Sequence, residues 1–154
     1  MAMTPEHWRT AAELLAFWAF AGALTYGVMR LIRSRQGAVY QSAAGICLAG
    51  TFILLWINLA VGIVGEPDHP ANLLYFGVPG LALAGAVLAR FRPRGMARAL
   101  LAAALAQVLV AAITVLGGLG APVTPRGSLL ALNGFFTLLW GLAAWLFQLA
   151  GRKP

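Results

Sequence analysis

The chain has 154 residues, of which 61% are hydrophobic and only 10% charged, and its formal net charge is +7 at pH 7. A water-soluble domain carries roughly a quarter charged residues; this chain holds more apolar surface than one small core can hide, so lipid is its expected solvent. A pI near 11.2 would suggest nucleic acid in a soluble protein, but here the arginines fall in short connectors between long apolar runs, which is a membrane-topology pattern and excludes a nucleic-acid partner.

Charges divide the sequence into five apolar segments, each near the roughly 20 residues that a bilayer-spanning helix needs. The first, LLAFWAFAGALTYGVM, lies between Glu13 and Arg30 and predicts a span over 11–31. Its arginines follow the apolar run and Glu6 and Glu13 precede or enter it, the reverse of a signal peptide, and no A-x-A-like cleavage site is evident, so it reads as a retained helix. The second predicts a helix over 42–64 and contains the lone Cys47, which allows no internal disulfide or CxxC motif and reads as a small packing residue. The third predicts 72–89, with a bend near Pro79. The fourth predicts 98–118 and the fifth 128–150, ended by Arg152 and Lys153. Trp8, Tyr40 and Tyr75 stand at segment ends, where amphipathic rings favour the headgroup region. The expected fold is an all-α polytopic transmembrane helix bundle of five spans, a single domain over 1–154.

Orientation follows from the basic residues. Given five spans, Arg30, Arg33, Arg35, Arg90, Arg92, Arg94, Arg98, Arg152 and Lys153 share one side, nine of the eleven basic residues. The acidic residues Glu6, Glu13, Glu66 and Asp68 fall on or near the other. The positive-inside rule then places the N-terminus outside and the C-terminus inside.

Helices in lipid are held by close packing and polar contacts, since the hydrophobic drive between them is absent. The second segment carries Ala44, Thr51, Asn58 and Gly62 on one stripe, the fourth Ala103, Gln107, Ala111 and Thr114, and the fifth Asn133, Thr137, Gly141 and Ala144. An unpartnered amide in hydrocarbon costs several kcal/mol. Asn58, Gln107 and Asn133 are therefore expected to face the interior, bonding to each other or to backbone freed near Pro79. The same three residues would line a path in a transporter or channel.

The turn Glu66-Pro67-Asp68-His69-Pro70 collects ionisable groups. As a turn, Pro67 sets φ, Asp68 caps the third helix, and Pro70 occupies a first turn where its missing donor is not needed. As a site, Glu66, Asp68, His69 and Asn72 would present oxygen and nitrogen donors to a ligand, with Glu6 and His7 near by. No HExxH, CxxC or HxH spacing is present, so no metal or other cofactor is expected. The run Arg90-Phe91-Arg92-Pro93-Arg94-Gly95-Met96-Ala97-Arg98 is the densest charge cluster. Its first role is to hold that loop on the cytoplasmic side, and Arg90, Arg92, Arg94 and Arg98 also offer a seat for anionic lipid or a partner.

The stretch NLAVGIVGEPDHPANLLYFGV, followed by ARFRPRGMARALLAAALAQ, resembles a group of small uncharacterised bacterial inner-membrane proteins. They share an N-L-A-V-G-I-x-G segment, an acidic turn, P-A-N-L-x-Y and an arginine-rich connector. The resemblance covers roughly 42–150, implies a four-helix core in the bacterial inner membrane, and brings no activity with it; the extra N-terminal helix departs from that pattern. No helix interior holds paired carboxylates, and no Ser-His-Asp or Cys-His set is apparent. The expected role is non-catalytic: an accessory or assembly subunit, or a homo-oligomer, with membrane lipids and a protein partner. A small transporter and an outward-facing metal or ligand sensor are the other two classes.

Overall fold

The computed structural model describes residues 37–152 together with Gly22, Tyr26 and Gly27, which are helical. The chain divides into two units, Met1–Arg35 and Gln36–Pro154. The expected first span and the anchor Trp8 lie outside the described residues, apart from those three positions.

The second unit is built of helices, and no strand occurs among the described residues. In chain order these are α1 (Ala38–Ala60), a short 3-10 turn (Pro70–Asn72), α2 (Leu73–Leu88), α3 (Pro93–Leu116) and α4 (Arg126–Ala150). Among the described residues, four helical stretches, with the 3-10 turn counted into α2, are long and apolar enough to cross a membrane. At 1.5 Å per residue, the 23 residues of α1 extend about 34 Å, a little more than the hydrocarbon core of a bilayer.

Helix ends follow local chemistry rather than charge. α1 stops four residues short of its expected end because Gly62 takes φ +77°, with the Val61 and Gly62 N–H groups both closing on the Ile57 carbonyl. Only glycine adopts that conformation at little cost. α3 begins at Pro93, five residues before the expected start. Proline's fixed φ and missing N–H suit a first helical position, and arginine is a good helix former. Arg94 and Arg98 therefore belong to the helix, not to a loop. The true connector is the turn Ala89–Arg92, in which Arg90 and Phe91 take φ 50° and 57°.

Successive helices run antiparallel. The Tyr40 and Phe147 rings meet edge-on at 5.0 Å, and Gly50 lies against Leu139, so α1 descends as α4 rises. Gly85 faces Ala99, and Gly95 faces Ala89, which sets α2 against α3 in the same manner. α3 and α4 share the largest interface, α1 packs on α4, α2 packs on α3, and α1 touches α2 far less. The glycines at these crossings let backbones approach where a Cβ would collide.

The interior holds Trp140, Tyr75, Phe136, Phe147, Leu54 and Leu100, all fully buried. The outward faces are equally apolar: Leu88 and Leu116 are each 84% exposed, Leu138 76% and Leu105 72%. A helix apolar all round needs lipid on the side its neighbours do not cover. The fold fits a small multi-pass membrane protein.

Candidate functional site

The polar side chains of the interior form two knots, one helical turn apart, at the end of the bundle where α1 joins α2 and α3 joins α4. Asn72 is the centre of the first. Its Oδ1 accepts from the N–H groups of Ile63 at 3.1 Å and Val64 at 2.9 Å. Its Nδ2 donates to the Glu66 carbonyl at 2.8 Å, with longer approaches to Pro67 at 3.3 Å and Val64 at 3.4 Å. Its own carbonyl accepts from Asn58 Nδ2 at 3.0 Å. A short amide offers acceptor and donors at once, so one side chain gathers the whole α1–α2 loop and supplies partners to backbone that would otherwise be buried unpaired. The loop is then tied across to its neighbour, since Gly65 N–H donates to Thr124 Oγ1 at 3.0 Å.

The second knot joins three helices. Gln107 Nε2 on α3 donates to Asn133 Oδ1 on α4 at 2.7 Å. Asn133 Nδ2 donates to the Tyr75 hydroxyl on α2 at 3.0 Å and to the Leu129 carbonyl at 2.8 Å. Gln107 and Tyr75 are 0% exposed and Asn133 1%. The expected pairing of buried amides thus occurs between Gln107 and Asn133, while Asn58 joins Asn72 and none of the three turns to backbone near Pro79. Tyr75 departs from its expected place among interfacial anchors: its hydroxyl is a core ligand for Asn133. Tyr40 is buried too, donating to the Phe91 carbonyl at 2.9 Å.

Three buried polar atoms have no partner among the described residues: Asn58 Oδ1, Gln107 Oε1 and Trp140 Nε1. Two are acceptors within the knots and one is a donor two turns along α4 from Asn133.

The ionisable turn is arranged differently from its expected form. Glu66 and Asp68 are exposed, and the cap is His69, whose Nδ1 accepts from Ala71 N–H at 3.2 Å. An imidazole that accepts at Nδ1 carries its neutral-state proton on Nε2. Offering the Nε2 of His69 to a metal would therefore require giving up the cap. Glu66, Asp68 and His69 do border a shallow depression of about 340 Å³, whose other wall is Leu119 to Val123. No group of three His, Cys, Asp or Glu able to hold a metal ion occurs among the described residues; Glu6 and His7 lie outside them. At the opposite end, Arg90, Arg92, Arg94 and Arg98 are all exposed.

No family model, curated protein or solved structure matches this chain. Sequence reasoning missed Tyr75, Thr124 and Trp140 as members of the polar interior. A tyrosine three residues after Asn72, on the same face of one helix, was the available signal for Tyr75; Thr124 and Trp140 carried none.

Proposed function

We propose that this protein is a non-catalytic, polytopic inner-membrane protein of the bacterial type, acting by packing: an accessory or assembly subunit, or a homo-oligomer. The observation that carries this reading is how the interior amides are used. Asn133 bonds both Gln107 and Tyr75, Asn58 donates to the Asn72 carbonyl, and the Asn72 side chain holds the loop. Polar groups committed in this way lock helix positions. Proton pumps and carriers keep an ionisable residue in the membrane interior; among the described residues the buried side chains with polar atoms are four amides, Thr114, Tyr40, Tyr75 and Trp140, none of them a carboxylate or a histidine. The outward faces supply binding area instead: Trp56, Phe135, Leu138 and Trp145 are all more than half exposed. In this reading five segments cross the membrane, with the N-terminus outside and the C-terminus inside, and the likeness to small inner-membrane proteins stands as a shared architecture.

The test is purification from native membranes in mild detergent, with mass spectrometry of what co-migrates. A stoichiometric partner, or a discrete homo-oligomer, is the expected result. A lone monomer that stays monomeric in lipid nanodiscs would overturn it.

A second reading, a small transporter or channel, draws on the two orphaned carbonyl oxygens of Asn58 and Gln107, which call for a donor such as water or a polar solute. Flux into proteoliposomes that disappears with Gln107→Leu, in protein that stays folded, would favour this reading over packing.

A further inference from the structure

We propose that the end of the bundle formed by the Ala89–Arg92 turn, the first turn of α3 and the C-terminus of α4 is a seat for the phosphate of an anionic phospholipid headgroup. The inference rests on the membrane reading above and adds a ligand to it.

Concentrated charge comes first. Arg90, Arg92, Arg94 and Arg98 are exposed within nine residues. Gly151 lies against Arg94 and Pro93, which brings the exposed Arg152 to the same place. The acidic residues among the described ones, Glu66 and Asp68, sit in the loop at the other end of α1 and α2. Five guanidinium groups thus share one end with no carboxylate of the described chain near them. A role in topology asks only that positive charge be present in the segment; it does not require the fold to gather the α3 and α4 arginines.

Rigidity comes second. The turn between the helices is not a loose connector. Phe91 N–H donates to the Ala86 carbonyl at 3.0 Å, and Arg92 N–H to Ala89 at 3.0 Å. The Tyr40 hydroxyl clamps the Phe91 carbonyl at 2.9 Å, and the Tyr40 ring is held in turn by Phe147. Arg90 and Phe91 both keep positive φ, a conformation that costs a non-glycine residue about 1–2 kcal/mol and persists only where the surroundings impose it. Arginines flanking a fixed point lose less freedom on binding than arginines on a mobile loop.

The third observation gives the ligand its sign and shape. α3 opens with no side-chain cap and no acidic residue in its first turn. Pro93 has no N–H, and Met96 N–H is bonded to the Arg92 carbonyl, so the N–H groups of Arg94 and Gly95 are left without an intrahelical partner. A helix N-terminus with free N–H groups, set among exposed arginines whose guanidinium groups offer paired donors, is complementary to a tetrahedral oxyanion. Because α3 is long and apolar enough to cross a membrane, its N-terminus falls at headgroup depth, and a phospholipid is the phosphate source at that depth. Inorganic phosphate offers the same chemistry from solution, and the test separates the two.

The experiment uses the full chain in nanodiscs and in detergent. Native mass spectrometry would count retained lipid, and thermal unfolding would report stabilisation, with phosphatidylglycerol and phosphatidylcholine compared at equal concentration. Wild type is expected to retain and be stabilised by phosphatidylglycerol in preference, with affinity falling about fivefold for each of Arg92→Gln and Arg94→Gln. Arg126→Gln, at the other end of the bundle, is expected to leave the preference unchanged, and Arg94→Lys to fall between wild type and Arg94→Gln, since an ammonium keeps the charge and loses the paired donors. These positions are exposed, so size-exclusion profiles should stay those of the wild type. Equal retention of both lipids, or a preference indifferent to Arg92→Gln and Arg94→Gln, overturns the proposal. Displacement of phosphatidylglycerol by millimolar inorganic phosphate would also overturn the lipid assignment and make the site one for soluble phosphate. Resistance of the chain to alkaline carbonate extraction is measured alongside. If the chain is extracted, the membrane reading fails; if it resists and shows no headgroup preference, only this inference fails.

Discussion

Asn133 is the residue on which three helices depend, because it accepts from Gln107 and donates to Tyr75 and to its own helix. Replacing it with leucine removes those bonds and leaves the Gln107 amide buried with neither its donor nor its acceptor paired. Asn133→Leu is expected to destabilise by about 1–3 kcal/mol, read as a fall in melting temperature in detergent. Tyr75→Phe removes one acceptor from a hub that keeps Leu129, and should cost less. A double-mutant cycle of Gln107→Leu with Asn133→Leu should return a coupling of about 0.6–1.7 kcal/mol, from the average to the largest value measured for hydrogen bonds between helices in lipid. Full additivity would mean that the 2.7 Å bond contributes nothing to the fold. Asn72 has a larger role that its sequence position conceals. With Ile63, Val64 and Glu66 all bonded to one side chain, Asn72→Ala should disorder the α1–α2 loop, and amide exchange of Ile63 and Val64 should rise while that of α4 stays slow.

At the scale of the elements, the sequence was most legible where composition alone decides. Four apolar runs bounded by arginine, proline and glycine became four helices, because a helix satisfies its whole backbone in hydrocarbon within one segment. It was least legible where a charged residue is also a good helix former. Arg94 and Arg98 look like loop residues when charge is taken to mark an end, yet Pro93 starts the helix and both continue it. Loop construction was hidden for another reason: the partners of Asn72 lie five to fourteen residues away, and no periodicity marks such a bracket. His69 rather than Asp68 takes the cap, since either side chain can accept and only the folded turn selects one. Gly62 was expected inside the second helix, on its packing stripe, and instead ends it; it and Gly118 differ in a testable way. Gly62 combines φ +77° with a Cβ position 2.8 Å from the Glu66 carbonyl carbon, whereas Gly118 has φ +62° and open space around it. Gly118→Ala should cost about 1 kcal/mol for the left-handed backbone alone. Gly62→Ala adds a clash with backbone that Asn72 holds in place, and should lower the melting temperature clearly further. Equal effects would mean that the loop gives way freely and that the Asn72 bracket does not hold it.

At the scale of the whole molecule the remaining question is how many times the chain crosses. The antiparallel order of α1 to α4 puts the start of α1, the Ala89–Arg92 turn and Arg152 at one end, and the loops 61–69 and 117–125 at the other. That arrangement holds whatever the first segment does. If the segment 11–31 also crosses, the N-terminus belongs with the two loops; if it does not, the N-terminus stays with Arg152. Charge favours the first outcome, since Glu6 and Glu13 precede the apolar run and Arg30, Arg33 and Arg35 follow it. Single cysteines read this directly. In a Cys47→Ser background, Val123→Cys is exposed in the α3–α4 loop and Arg152→Cys is exposed at the far end. A membrane-impermeant maleimide applied to intact cells should label Val123→Cys and spare Arg152→Cys until the membrane is opened. An N-terminal epitope should be cut by protease from the same side that labels Val123→Cys. Protection of that epitope, with Val123→Cys still labelled, would reduce the chain to four crossings. Labelling of Arg152→Cys alone would invert the orientation, and the arginine end would then face away from the cytoplasm, against the bias that eleven basic residues and four acidic ones impose.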